Sequence, residues 1–196
     1  ATNSFGGGAR VFNGALMLDS TVVSGNRAPT TAGSLGLGGG IFTDGADATL
    51  QLVGVPMTGN SAAIGGGGLA IRGGTTATIT GGEIRDNRAA VGGGIETGGA
   101  TDTVVDSRVT SNTAAQRGGG VLVCGAGRYT HTGGSVRENV AGTNGGGGLY
   151  LQQTAEATLT NVAVDENRAD GNQSGGGVWM GNASRLSVSG GSLSRN

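Results

Sequence analysis

Two landmarks return along the whole chain at nearly fixed spacing, and that recurrence limits the fold more than any other feature. Glycine runs followed by a small or aliphatic residue end at Gly8, Gly40, Gly68, Gly94, Gly120, Gly148 and Gly177. An asparagine stands at Asn26, Asn60, Asn87, Asn112, Asn139, Asn167 and Asn196. From each glycine landmark to the next asparagine the distance is 18, 20, 19, 18, 19, 19 and 19 residues. From each asparagine to the next glycine landmark it is 14, 8, 7, 8, 9 and 10. One arc is rigid and one turn takes up the insertions. A stack of coils tolerates length change in that way, at a loop and not in the stacked strands.

Within the rigid arc the residues alternate with the two-residue period of a strand. After the glycines, Ile41, Leu69, Ile95, Val121, Leu149 and Val178 fill one inward column, with Ala9 in the first coil. Val11, Thr43, Ile71, Thr97, Val123, Leu151 and Met180 follow two residues later. Eight residues before each asparagine lie Leu18, Leu52, Ile79, Val104, His131, Leu159 and Val188. Three before it lie Val23, Met57, Ile84, Val109, Val136, Val164 and Leu193. Two residues after it stand Ala28, Ala62, Ala89, Ala114, Ala141 and Ala169. The pattern predicts an all-β, right-handed parallel β-helix: seven coils of three short strands, forming one domain over residues 1–196, whole or a segment of a longer protein. Coils about 4.8 Å apart would make a rod of roughly 34 Å. The asparagines are expected to form an amide ladder from coil to coil and to tolerate left-handed backbone. The glycines should supply positive φ and close approach at the other corner.

Composition fits a stack of this kind. Glycine accounts for 45 of the 196 residues and aromatics for 3%. A globular core would be short of large side chains, whereas a solenoid buries one small face per coil. All 12 basic residues are arginine, against 13 acidic ones, for a net charge of −1. That balance predicts no nucleic-acid partner and no basic stripe for anionic lipid. No apolar run is long enough for a membrane span. The single cysteine, Cys124, rules out an internal disulfide framework.

The pairing of apolar-x-x-Asn-x-Ala with Gly-Gly-Gly-aliphatic resembles the twin repeats of the chlamydial polymorphic outer-membrane proteins. Ile84-Arg85-Asp86-Asn87-Arg88-Ala89 followed by Gly92-Gly93-Gly94-Ile95 is one instance. Here aliphatics stand for that family's usual Phe, and Gly for its usual Ala. The resemblance implies a secreted or surface-displayed β-helix, at a bacterial outer membrane or outside the cell, serving adhesion or as a passenger scaffold. The partner it implies is a host or neighbouring cell surface.

Three outward surfaces are candidates for function. On the middle strand, Thr78, Thr80, Thr103, Thr130, Thr132, Thr158, Thr160, Ser187 and Ser189 form a rank of hydroxyls two columns wide. Flat Thr-x-Thr arrays on β-solenoids resemble ice-binding surfaces, although strands collect threonine in any case. After the glycines, the outward column reads Arg10, Phe42, Ala70, Glu96, Leu122, Tyr150 and Trp179. Phe42, Leu122, Tyr150 and Trp179 are candidate anchors for a glycan or protein. The third strand carries opposite charges suited to cross-coil ion pairs; its carboxylates are also candidates for calcium, and Asp165, Glu166 and Asp170 are the densest group. No other cofactor and no metal cluster is indicated.

Many β-helices are polysaccharide lyases or glycoside hydrolases, but this chain has no lysine, and its one histidine, His131, falls in an inward column. The expectation is a non-catalytic adhesion or structural scaffold. Ice binding, a polysaccharide lyase or glycoside hydrolase, and a head-to-tail fibre unit associating through the solenoid ends are the alternatives.

Overall fold

The computed structural model describes residues 5–30, 35–171 and 175–196. The chain winds as a right-handed parallel β-solenoid of about six turns, with four parallel sheets and no helix among the described residues. Each strand pairs with its equivalents one coil before and after, so every sheet runs in coil order along the axis.

The first sheet stacks Ala9–Phe12, Ile41–Asp44, Leu69–Arg72, Ile95–Gly98, Val121–Cys124, Leu149–Leu151 and Val178–Met180. The second stacks Ala15–Asp19, Thr49–Val53, Thr76–Thr80, Thr101–Val105, Arg128–Thr132, Glu156–Thr160 and Arg185–Ser189. The third runs from Val23–Ser24 through Glu83–Arg85 and Arg108–Thr110 to Ser192–Ser194. Ile41, Ile79, Ile84 and most of their column mates meet between these sheets in one continuous core. Each such side chain contributes roughly 1.5–3 kcal/mol when fully buried. Met180, Val188 and Leu193, expected inward, are exposed in the last coil, which has no following coil among the described residues to cover it.

The expected three strands per coil become four. The fourth sheet comprises Arg27–Ala28, Ser61–Ala62, Arg88–Val91, Thr113–Arg117, Val140–Ala141 and Arg168–Ala169. Most of these strands have two residues, too few for alternation to register in the sequence. Their alanines do not merely leave room at a bend; they pair in register, and Ala28, Ala62 and Ala89 form their own buried cluster. A second correction concerns the asparagine corner. The left-handed residue is the one before each asparagine: Gly25, Gly59, Asp86, Ser111, Glu138, Glu166 and Arg195, with φ between 52° and 64°.

The asparagines themselves hold the coils together. Both the backbone N–H and the Nδ2 of Asn87 donate to Oδ1 of Asn112, each at 3.0 Å. The second Nδ2 proton of Asn112 goes back to the Ile84 carbonyl at 2.8 Å. The same arrangement recurs from Asn26 through Asn60, Asn87, Asn112, Asn139 and Asn167 to Asn196. At the opposite corner the glycines divide their work. Gly92 takes φ +57°. A Cβ on Gly93 would lie 2.4 Å from the Gly119 carbonyl oxygen, so no side chain fits where the coils approach.

Replacing Asn112 by Ala strands the Asn87 N–H and one of its amide protons, takes the amide partner from the Ile84 carbonyl, and leaves the Asn139 oxygen with only the backbone N–H of residue 112. At about 1–3 kcal/mol per buried orphan after relaxation, a loss of roughly 3–5 kcal/mol is expected. Urea denaturation of the variant measures it; a loss below about 1 kcal/mol would show that the ladder is dispensable.

Candidate functional site

Polar groups occur first inside the rod. His131 is fully buried, its Nδ1 accepting from the Tyr129 hydroxyl at 3.0 Å and its Nε2 facing the Ser107 carbonyl at 3.2 Å. Those partners place the ring proton on Nε2. One coil away, in register beside Tyr129, lies buried Asp102, hydrogen-bonded through Oδ2 to Thr97. Its Oδ1 has no partner. Burial pushes the Asp102 carboxyl up to about 8 against the Thr97 bond, and pushes His131 down to about 4. Both groups are therefore uncharged at neutral pH, packed in the lumen and sealed from any substrate.

The two groups act oppositely on stability. Between its ordinary 3.8 and about 8, Asp102 leaves the folded state one proton richer than the unfolded chain, so stability falls as pH rises. Between about 4 and 6.5, His131 leaves the folded state one proton poorer, so stability rises with pH. These slopes cancel from about pH 4 to 6.5. From about 6.5 to 8 the opposing His131 slope is gone, and the Asp102 contribution declines by about 1.4 kcal/mol per pH unit, with Glu96, also raised by burial, acting in the same direction. Urea midpoints across pH 5 to about 8.5 should show that break, and Asp102→Asn should make the alkaline decline shallower by about 1.4 kcal/mol per pH unit. An unchanged slope in the variant would overturn the assignment.

On the outside of the first sheet the structure corrects an expectation of exposure. Phe42 is 3% exposed, Leu122 2% and Tyr150 5%; only Trp179 of the four candidate anchors is half-buried. What covers them is a further ladder in the elastic turn, three residues before each glycine landmark. Phe5, Leu37, Gly65, Val91, Arg117 and Gly145 bridge from coil to coil along it. Phe5 stacks on Phe42 at 4.9 Å, and Leu37 joins them. Val91 packs with Leu122 and Tyr150. Gly65 makes room for a carboxylate, since its Cβ would stand 1.9 Å from Glu96 Oε2. Glu96 is buried and paired with Arg72; burial raises its carboxyl, against the pull of Arg72 and then Arg117. Cys124 sits half-buried beside this group, its thiol pushed up by burial and the nearby Glu96, and it forms no disulfide.

The cover thins toward the last coils. Arg117 lays its guanidinium over the Tyr150 ring at 5.6 Å, and Tyr150 stacks on Trp179 at 4.2 Å with planes 6° apart. The next ladder residue, Gly145, adds no side chain. A groove of about 840 Å³ opens there, lined by Arg117, Thr143, Asn144, Tyr150, Asp170 and Trp179. Aromatic edges, an arginine, a carboxylate and neutral hydrogen-bonding groups thus converge on one rigid surface. Sequence reasoning found the two aromatics, singled out Asp170 only as a calcium candidate, and missed Arg117 and Asn144. The signal was the elastic turn itself, in which a ladder position alternates between large residues and glycine.

The second sheet presents its hydroxyls flat and in register. Thr78, Thr103, Thr130, Thr158 and Ser187 form one column, and Thr80, Thr132, Thr160 and Ser189 stand in the other with Val105 between. Their hydroxyls make no hydrogen bond to any described residue.

The third sheet uses its carboxylates in ion pairs. Asp165 accepts from Ser194 at 2.8 Å and from Arg137 at 2.8 Å, and also pairs with Arg195. The Ser194 bond, with the two arginines, holds its carboxyl below the usual range. Glu166 pairs with Arg195 at 3.0 Å, while Asp170 lies beyond the fourth sheet against Arg168 at 3.3 Å. The calcium reading required these three to converge, and they do not: among the described residues no three metal-ligating side chains do.

The family description "Right handed beta helix region" matches residues 36–193. No curated protein and no solved structure matches the chain.

Proposed function

We propose, from the premise that the chain belongs to the right-handed β-helix family, that it is a non-catalytic recognition scaffold of adhesion type, displayed outside the cell. The family contains enzymes as well as non-enzymes, so the reading rests on the residues. The single observation that carries it is the groove around Tyr150 and Trp179, where aromatic edges and polar groups meet on a rigid sheet. Buried aromatic and arginine anchors of this kind concentrate binding energy. The likeness of the repeats to those of chlamydial surface proteins supports an extracellular setting. Against catalysis stands the one histidine, His131, sealed in the lumen.

The purified chain is expected to bind a subset of an immobilised glycan panel or of whole cells. Trp179→Ala should weaken that binding about tenfold or more, with the thermal midpoint unchanged within a few degrees. Binding that ignores the substitution would remove the groove from the reading.

A second reading has its own observation, the in-register lattice of hydroxyls on the second sheet left free for water. Ice binding through Thr78, Thr103, Thr130 and Thr158 predicts thermal hysteresis and faceted ice crystals, both lost on Thr103→Lys with Thr130→Lys. Ordinary disc-shaped crystals at high protein concentration would end this reading.

A further inference from the structure

The net charge of −1 conceals a segregation that only the coil positions reveal. The stretches from each ladder asparagine to the next glycine landmark hold four arginines, Arg27, Arg88, Arg117 and Arg168, and one carboxylate, Asp170, for a net +3. The other eight arginines and twelve carboxylates leave −4 elsewhere. Those stretches form the fourth sheet and its turn, so one side of the rod is basic and the remainder acidic.

Arg27, Arg88 and Arg117 form no ion pair with any described residue; on this side only Arg168 does, with Asp170, while five of the eight arginines elsewhere are paired. Arg27 and Arg88 occupy one column, with Ser61 between them, and so stand about 10 Å apart along the axis. They rim a second groove of about 480 Å³ floored by Ala28, Ala62 and Ala89. Arg117 continues the basic side into the aromatic groove one coil beyond Arg88.

We propose that this side of the rod binds an extended acidic polysaccharide lying along the solenoid axis, its carboxylate or sulfate groups on Arg27, Arg88 and Arg117. The proposal rests on the recognition-scaffold reading and names the ligand class. Guanidinium forks suit planar or tetrahedral oxyanions; Arg27 and Arg88 pair with no described carboxylate, and Arg117 acts on Glu96 through its field without an ion-pair contact. Cationic positions one or two coils apart match a polymer carrying charge every one or two sugar units. Between them the surface offers Ser61, Thr30, Thr143 and Asn144 for neutral hydroxyls, and Asp170 to accept from a sugar O–H. Both faces of Tyr150 are taken, by Arg117 and Trp179, so that ring offers bases no platform. A lipid surface would favour a flat basic plane, whereas these guanidinia border concave grooves.

The test measures binding of the full chain to polyguluronate, to heparin and to neutral dextran in a salt series. Duplex DNA and phosphatidylserine vesicles serve as further probes. Polyguluronate, heparin or both should bind, at least tenfold more tightly than dextran, with affinity falling as salt rises. Binding to polyguluronate alone assigns carboxylate, and to heparin alone sulfate. Arg27→Ser with Arg88→Ser should raise the dissociation constant about tenfold or more. Arg108→Ser with Arg185→Ser, the same charge loss away from this side, should change it less than about twofold. Equal effects of the two pairs, or tighter binding of DNA or vesicles than of either acidic chain, would overturn the proposal. If acidic chains fail to bind while a neutral glycan binds through Trp179, the polyanion assignment falls and the recognition scaffold stands. If no glycan binds at all, both fall.

Discussion

Everything in this molecule depends on each coil sitting in register on the one before it, and the asparagine amides enforce that register. Each ladder oxygen accepts two donors from the preceding asparagine, while the Nδ2 protons divide between the following asparagine and a carbonyl of the preceding coil. Four hydrogen bonds per buried side chain leave no lone group for water. A slip of one residue would orphan them all, and each orphan costs about 1–3 kcal/mol. The glycine seam opposite adds a steric limit, since Gly93 and its equivalents touch the next coil through backbone. Attraction at one corner and exclusion of side chains at the other fix the stack. The apolar columns then fill it.

A rod so constrained has function only where its outward columns differ from coil to coil. The first sheet illustrates this. Its outward aromatics look like free anchors in a strand-by-strand reading, yet Phe42 and Leu122 are sealed by Leu37 and Val91 from the turn. The same turn position holds Arg117 over Tyr150 and then Gly145. Access to Tyr150 and Trp179 is therefore set by the side chain on the neighbouring ladder, not by the aromatic column itself. The turn that absorbs insertions is also the element that decides what the sheet exposes.

Much of this was legible in the sequence because solenoid order is local. The period, the inward columns and the asparagine positions follow from spacing and alternation alone. The fourth sheet was not, because Arg27–Ala28 and three of its five mates span two residues, and a strand that short has no period to detect. Nor was the cover over Phe42, since nothing in the sequence says that Leu37 folds back across the first sheet. The lumen was half legible. Position placed His131 inside, but the buried Asp102 beside Tyr129 emerges only from the register of the coils.

Net charge misled for a related reason. A sum over the chain treats the arginines as one population, whereas a solenoid sorts residues by their place in the repeat onto separate sides. On the third sheet Arg137 faces Asp165 one coil away and Arg85 pairs with Glu83 and Asp86 of its own coil, so both are neutralised. On the fourth, the column neighbours of Arg27 and Arg88 are Ser61 and Thr113, which cannot neutralise them. The field of an unpaired guanidinium reaches about 8 Å at physiological salt, close to the spacing of two coils, so Arg27 and Arg88 act on a ligand together. A nearly neutral chain can thus present a cationic strip whenever the repeat assigns arginine to one position and withholds carboxylate from its neighbours.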